Sequence, residues 1–356
     1  MTSAPTTSAD LEQKLAHLEA TLRELGQVLV GYSGGVDSAL LAVAAQRVLG
    51  DRAVAVTAVS ESYAEGELEI AADICRQFGI RHEVIHTREL ENPDYAANPT
   101  NRCYFCKREL LVEMEEVAAR LGIQQIIYGQ NADDSGDFRP GAQAARERGA
   151  RAPLAEAGFT KADIRALARQ WGLKVWDRPA TACLSSRFPY GTPITAAALR
   201  QVDQVEAFLR QTCGFTQVRA RHHGEVSRLE LLPDDLSRLL TDAELRRAVL
   251  AAATGTGYLR VVADLRGFRS GSMNEVIGQA PGGAWDTHID AALDDLEYRP
   301  RAWDQHERMV CLSLPEATLR RLADSDRRQA LVTRLAELGI RYAAAELTPM
   351  GVDVRD

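Results

Sequence analysis

The segment Ser33-Gly34-Gly35-Val36-Asp37-Ser38 stands between two apolar runs, in QVLVGYSGGVDSALLAVAAQ. Its glycines free the backbone for a tight turn and let a ligand approach the main chain closely. At the start of a helix, the unpaired N–H groups and the helix dipole form an anion site, to which the hydroxyls of Ser33 and Ser38 add. Phosphate suits such a site. The segment lacks the Gly-Lys-Ser/Thr ending of a Walker loop and the spacing of a dinucleotide fingerprint. A glycine-rich turn with no ligand is the alternative.

Other residues carry chemistry by type and spacing. Asp133 and Asp134 follow an apolar strand, where they would aid nucleotide or magnesium binding or simply cap a turn. Arg139 would hold phosphate or pair with Asp137. Arg219 and Arg221 alternate on one strand and so face one side. A pair of guanidiniums suits a phosphate, whereas a solvated strand face is the plainer use. His222 and His223 are adjacent on the same strand and point oppositely, which disfavours a shared metal.

These residues need elements to position them. Strand-like runs (QVLVGY, AVAVTAVS, RHEVIHT, QQIIYG) alternate with helical segments at 38–49, within AEGELEIAADICRQFG and from about 106 to 121. That pattern implies a parallel sheet with helices on both faces, which binds ligands at the carboxyl ends of its strands. Leu11, Leu15, Leu18, Leu22 and Leu25 form one helical stripe. From about Tyr190 the pattern becomes that of a smaller α+β domain. The tail repeats it weakly: both LELLPDDLSRLL…VVADLRG and VCLSLPEATLRR…AAELTPMG run strand, Leu-Pro, two helices, strand, Gly, which suggests a duplication. The expected divisions are a disordered lead-in at 1–9, a nucleotide-binding domain at 10–190, an α+β domain at 191–278 and a C-terminal extension at 279–356. The Gly- and Pro-rich GQAPGGAWDTHID reads as a linker.

The 356 residues are 46% hydrophobic and 26% charged, with no apolar stretch long enough to span a bilayer. A net charge of −8 makes nucleic acid a poor default partner. The opening residues do not form a secretory signal, and the expected location is cytoplasmic. Among the six cysteines, Cys75, Cys213 and Cys311 fall in apolar surroundings and read as core.

The glycine-rich segment matches the Ser-Gly-Gly-x-Asp-Ser loop of the ATP pyrophosphatase superfamily, whose fold is the adenine nucleotide α-hydrolase-like α/β type. NPTNRCYFCKREL, YGQNADDSGDFRPG, RAPLAEAGFTKADIRALARQWGL, RPATACLSSRFPYGTPIT, VRARHHG and GFRSGSMNE further resemble the LarE family of ATP-dependent sulfur transferases, over about Leu22 to Glu275. The resemblance implies adenylation of a carboxylate on a pyridinium dicarboxylate mononucleotide and its conversion to a thiocarboxylate, for a nickel-pincer nucleotide cofactor. It implies ATP and Mg2+ bound at Ser33, Gly34, Gly35, Asp37 and Ser38, homo-oligomers, and a substrate phosphate near Arg219 and Arg221, with Arg187 and Glu206 close by. In the family the cysteine of the ACLSSR segment, here Cys183, is the functional one. It lies between Arg178 and Arg187, a setting that favours a thiolate.

Two sulfur sources occur in the family: a sacrificial cysteine, or a three-cysteine [4Fe-4S] cluster carrying an extra sulfide. Cys103, Cys106 and Cys183 fit the second. Zinc and a redox dithiol remain open for a Cys-x-x-Cys. Zinc would want a fourth ligand, for which His82 and His86 are available, although their alternating strand setting suits structural roles. A tRNA thiolase, an ammonia-using adenylating ligase and a nucleotide or cluster sensor are the competing readings.

Overall fold

A computed structural model describes residues 8–136, 140–179, 182–269, 271–273, 289–296, 298, 300–306 and 309–347. Asp137 and Arg139 lie outside the described residues, as does most of the Gly- and Pro-rich stretch before residue 289. Contacts divide the chain into two units, with the boundary between Cys183 and Leu184.

The first unit runs α1 (Ser8–Leu25), β1 (Val28–Gly31), α2 (Val36–Leu49), β2 (Ala53–Val59), α3 (Glu67–Phe78), β3 (Arg81–His86), α4 (Pro93–Ala96), α5 (Arg102–Leu121), β4 (Gln125–Tyr128), α6 (Pro140–Glu147), α7 (Pro153–Glu156) and α8 (Lys161–Gln170). Its sheet has the order β3-β2-β1-β4, and every pairing is parallel. Successive strand residues go to opposite faces. Val28, Val30, Ala53 and Ala55 join the core under α1, α2 and α8, while Leu29, Val54 and Val56 join Leu111 and Met114 of α5. The parallel sheet covered on both faces is therefore as the sequence implies. The leucine stripe of α1 packs on this body: Leu18 and Leu22 are fully buried, and Leu11, Leu15 and Leu25 lie against the same core.

Strand order explains where a ligand goes. The chain leaves β1 toward β2 and β3, then returns to lay β4 on the other side of β1. The loops after β1 and β4 thus diverge and leave a crevice at the carboxyl edge, the switch point of an open α/β sheet.

The second unit runs α9 (Ala196–Gln211), β5 (Val218–His223), β6 (Val226–Leu231), α10 (Pro233–Thr241), α11 (Ala243–Gly255), β7 (Arg260–Asp264), α12 (Ile289–Asp295), β8 (Ala302–His306), β9 (Met309–Ser313), α13 (Glu316–Arg321), α14 (Ser325–Glu337) and β10 (Tyr342–Glu346). One six-stranded mixed sheet, β5-β6-β7-β10-β9-β8, contains the strands of the α+β segment and of the tail. Each half contributes β-β-α-α-β. Within each half the hairpin is antiparallel and the third strand pairs parallel with the second; β7 and β10 join the halves antiparallel.

No helix among the described residues is long and apolar enough to cross a membrane.

Candidate active site

The anion loop lies in the crevice. Gly34 takes φ +78, a left-handed conformation that a side chain rarely adopts, and Gly35 caps α2 without a side chain. Ser38 Oγ donates to Gly35 O at 3.0 Å and accepts from Ser33 N at 3.2 Å, and the two serine hydroxyls are 3.1 Å apart. The turn is thereby held closed with the first N–H groups of α2 facing outward. From the other side of the crevice comes Gly129, after β4. A Cβ there would stand 2.6 Å from Ser38 N and 2.8 Å from its Cα. The close approach of these two backbones is what the glycine supplies.

A pocket of about 190 Å³ opens over this loop, lined by Ser33 to Ser38, Glu67, Gly129, Lys161, Arg165, Val175, Arg178 and Pro179. Asp37 is gripped on both oxygens: Lys161 Nζ lies 2.6 Å from Oδ1, and Asn131 Nδ2 donates to Oδ2 at 3.0 Å. Asn131 is 3% exposed, and its own Oδ1 is buried with no hydrogen-bond partner among the described residues. Thr160 starts α8 with a capping box to Asp163, which fixes Lys161 in the first helical turn. Arg165 donates to the carbonyls of Trp176 and Arg178, both at 3.1 Å. Arg178 in turn makes a bidentate pair with Glu67, at 2.8 and 2.6 Å.

Lys161, Asn131, Glu67, Arg165 and Gly129 escaped the sequence reading. The capping box in FTKADIR was the available signal for Lys161. Asp133 and Asp134 sit in a 3-10 turn, Ala132–Gly136. Asp133 accepts from Lys161 N at 2.7 Å and Asp134 from Asn131 N at 3.3 Å. Both thus make cap and turn contacts, and neither lines the pocket.

Helix α5 begins at Arg102, four residues before the expected start, so Cys103 and Cys106 both lie in its opening turns. Three residues apart, they share a face. Cys103 and Cys183 are exposed and Cys106 is half-buried. Cys103 and Cys106 both feel the charge of Cys183. Packing around the sulfur raises the Cys103 pKa, with Cys183 adding and Arg102, which donates to it, opposing. Burial pushes the Cys106 thiol well up, followed by the charges of Glu89, Cys183 and Cys103. Of the arginines flanking Cys183, Arg178 directs its guanidinium to Glu67 and Arg187 to Glu206; the cations acting on the Cys-x-x-Cys thiols are Arg102 and Lys107.

Among the described residues, no three His, Cys, Asp or Glu side chains form a group that could hold a metal ion. His82 Nε2 is 2.8 Å from Thr57 Oγ1, and burial lowers its pKa, so its ring serves the sheet. His86 is exposed along a groove with Arg88, Glu109 and Glu113. Cys103, Cys106 and Cys183 are soft thiols by type, but the structure does not gather them into one donor set.

The second unit holds an arginine cluster. Arg187 ends a 3-10 turn, Leu184–Arg187, and makes a bidentate pair with Glu206 of α9 at 2.7 and 2.8 Å, both residues being fully buried. Glu206 also takes Arg210 at 2.9 Å and the Ala220 N–H at 3.0 Å. Burial alone would raise its carboxyl, but Arg187, Arg219 and Arg210 bring it down to about 2. Arg219 and Arg221 are 8% and 5% exposed, so this strand face is not a solvated one. Arg221 donates to Ser186 O at 2.9 Å, Glu230 at 2.6 Å and Ser272 Oγ at 2.9 Å, while its Nε is buried with no hydrogen-bond partner among the described residues. His222 lies 3.0 Å from the Tyr258 hydroxyl, and His223 accepts from Arg228 Nε at 3.2 Å. The two rings point apart, as the strand period requires.

Comparison with known proteins places this geometry among relatives. The NAD synthase family model matches residues 10–121. An uncharacterized protein of Synechocystis sp., slr1717, is 46% identical over 267 residues, covering 75% of this chain and 99% of that protein. The pyridinium-3,5-bisthiocarboxylic acid mononucleotide synthase of Lactiplantibacillus plantarum is 36% identical over 273 residues, covering 76% and 98%. One subunit of the glutamine-hydrolysing GMP synthase of Pyrococcus furiosus is 29% identical over 130 residues, covering 35% and 40%.

Proposed function

The chain belongs to the LarE family, that of the pyridinium-3,5-bisthiocarboxylic acid mononucleotide synthase, and we propose that it transfers sulfur, at the expense of ATP, to a carboxylate of a pyridinium dicarboxylate mononucleotide. The carboxylate oxygen attacks the α-phosphorus of ATP, and pyrophosphate leaves. A sulfur nucleophile then adds to the acyl carbon and AMP departs, which leaves a thiocarboxylate. Adenylation is needed because a carboxylate oxygen is otherwise a poor leaving group.

The observation that carries this reading is the crevice at the strand-order switch. There the α2 N–H groups, Ser33, Ser38 and Lys161 surround one pocket suited to a polyphosphate. Asp37 is the loop carboxylate that would hold magnesium, and magnesium would neutralise charge on the departing pyrophosphate. Asn131 keeps Asp37 oriented, and Lys161 is within reach to exchange its partner for phosphate.

The substrate phosphate belongs with Arg219 and Arg221. Burial, then Arg187, lower the Arg219 guanidinium to about 10, against the opposing carboxylates of Glu206 and Glu230. An incoming phosphate relieves that excess of buried positive charge, and Arg221 Nε is a donor available to it. By the family's three-cysteine pattern, Cys103, Cys106 and Cys183 would hold a [4Fe-4S] cluster, which would carry the sulfide to be transferred.

The test is pyrophosphate release from ATP and Mg2+ in the presence and absence of the pyridinium dicarboxylate mononucleotide. Release that depends on the mononucleotide is expected, and its absence overturns the reading. Iron and acid-labile sulfide measured in anaerobic wild-type protein, and after Cys103→Ala, Cys106→Ala or Cys183→Ala, separate a cluster from a sacrificial Cys183. Iron-free wild type after reconstitution rejects the cluster.

A further inference from the structure

The tail reaches the arginine cluster through one residue. Tyr342 opens β10 in the second β-β-α-α-β half and is almost fully buried. Its hydroxyl donates to Ser272 O at 3.2 Å, and its ring lies 4.0 Å from the Arg228 guanidinium carbon. Ser272 and Arg228 are the two props of the same carboxylate. Ser272 Oγ donates to Glu230 Oε1 at 2.8 Å and itself accepts from Arg221, while Arg228 Nη1 donates to Glu230 Oε1 at 3.0 Å and also binds Asp264. The other carboxylate oxygen of Glu230 holds Arg221 at 2.6 Å. Every prop of Arg221 on this side therefore converges on Tyr342. A second tail residue supports the frame: His306 Nε2 lies 3.0 Å from His223 O, and His223 accepts from Arg228.

We infer that Tyr342 is a positioning residue for the substrate's phosphate, acting through Ser272 and the Arg228–Glu230 pair to set the guanidinium of Arg221. This rests on the reading that Arg221 binds that phosphate. It gives the C-terminal half a task in substrate recognition, because a strand of the tail supplies the last support of an anion site built on β5. The geometry explains why the support must be aromatic and hydroxylated. A ring face attracts the buried guanidinium of Arg228, and the hydroxyl fixes the backbone of the residue that bonds both Glu230 and Arg221.

The test measures affinity for nicotinic acid mononucleotide and for inorganic phosphate by calorimetry on the full chain, and KM and kcat with the pyridinium dicarboxylate mononucleotide. Tyr342→Phe loses the hydroxyl contact and is expected to weaken mononucleotide binding about threefold. Tyr342→Leu loses the ring as well and is expected to raise KM about tenfold, with kcat changed less than about twofold and ATP affinity unchanged. In an Arg221→Ala background the Tyr342→Leu change is expected to vanish, since the two act through one contact. Undiminished affinity in Tyr342→Leu, or an equal loss with and without Arg221, overturns the inference. If Arg221→Ala itself binds the mononucleotide as tightly as wild type, the underlying phosphate reading fails instead. Should Tyr342→Leu not fold by circular dichroism, Tyr342→Phe and Ser272→Ala carry the same comparison, and wild-type affinity in both overturns the inference.

Discussion

Single residues set the anion crevice to within an ångström. Gly129 is the clearest, since a methyl group there would overlap the Ser38 main chain. Gly129→Ala must push the loop after β1 away from β4, for the backbone atoms it meets cannot rotate aside. We expect the variant to fold with reduced stability and to lose ATP affinity by about 5- to 150-fold, as overpacking costs about 1–3 kcal/mol. Equilibrium binding of a fluorescent ATP analogue measures it, and near-wild-type affinity would show that the two loops can separate freely. Chemistry at this scale was partly legible from sequence. Ser33 to Ser38 announced themselves because one short segment holds the whole motif. Lys161 and Asn131 did not, because their partner Asp37 lies 124 and 94 residues away in the chain. Spacing reveals partners on one element and is silent about those that meet only through the fold.

Elements were easier to read than their ends. Strands β1 to β4 and helices α2, α3 and α5 follow from apolar runs alternating with helical periods. The start of α5 was missed because Arg102 to Phe105 carry no apolar stripe, yet it is the start that puts Cys103 and Cys106 on one face. In the second unit, Glu206 joins α9, the Leu184–Arg187 turn and β5 by accepting from Arg187, Arg210 and the Ala220 N–H. Its carboxyl is held at about 2 against an ordinary 4.5. A depressed carboxyl contributes stability that is fully present above pH 4.5 and drains away as pH falls toward 2. Glu206→Gln leaves Arg187 buried without its counter-charge and should cost about 3 kcal/mol at neutral pH. Urea unfolding of wild type and variant across that acid range should show the difference shrinking as pH falls. A difference that stays constant with pH would mean that the carboxylate charge contributes nothing to joining these elements.

At the scale of the whole molecule, the second unit consists of two halves with the same order of strands and helices. The weak repeat visible in sequence corresponds to matching element order and matching pairing, which an internal duplication accounts for. The two halves differ in their charged residues. In the first hairpin Arg219 stands opposite Glu230 and Arg221 opposite Arg228; at the corresponding rungs of the second, Ala302 stands opposite Ser313 and Asp304 opposite Cys311. Where the first hairpin has two guanidiniums the second has a methyl group and a carboxylate, so the second half lacks the arginine pair for a phosphate at the same place. His223 and His306 occupy the same rung in the two halves, opposite Val226 and Met309. A chain with two active copies would bind two mononucleotides. This one should bind a single mononucleotide per chain, with Arg219→Ala and Arg221→Ala together abolishing it, as calorimetric titration to saturation would read directly. A second equivalent bound with comparable affinity, surviving that double substitution, would place phosphate recognition somewhere other than β5 and leave the absence of arginines at those rungs of β8 without consequence.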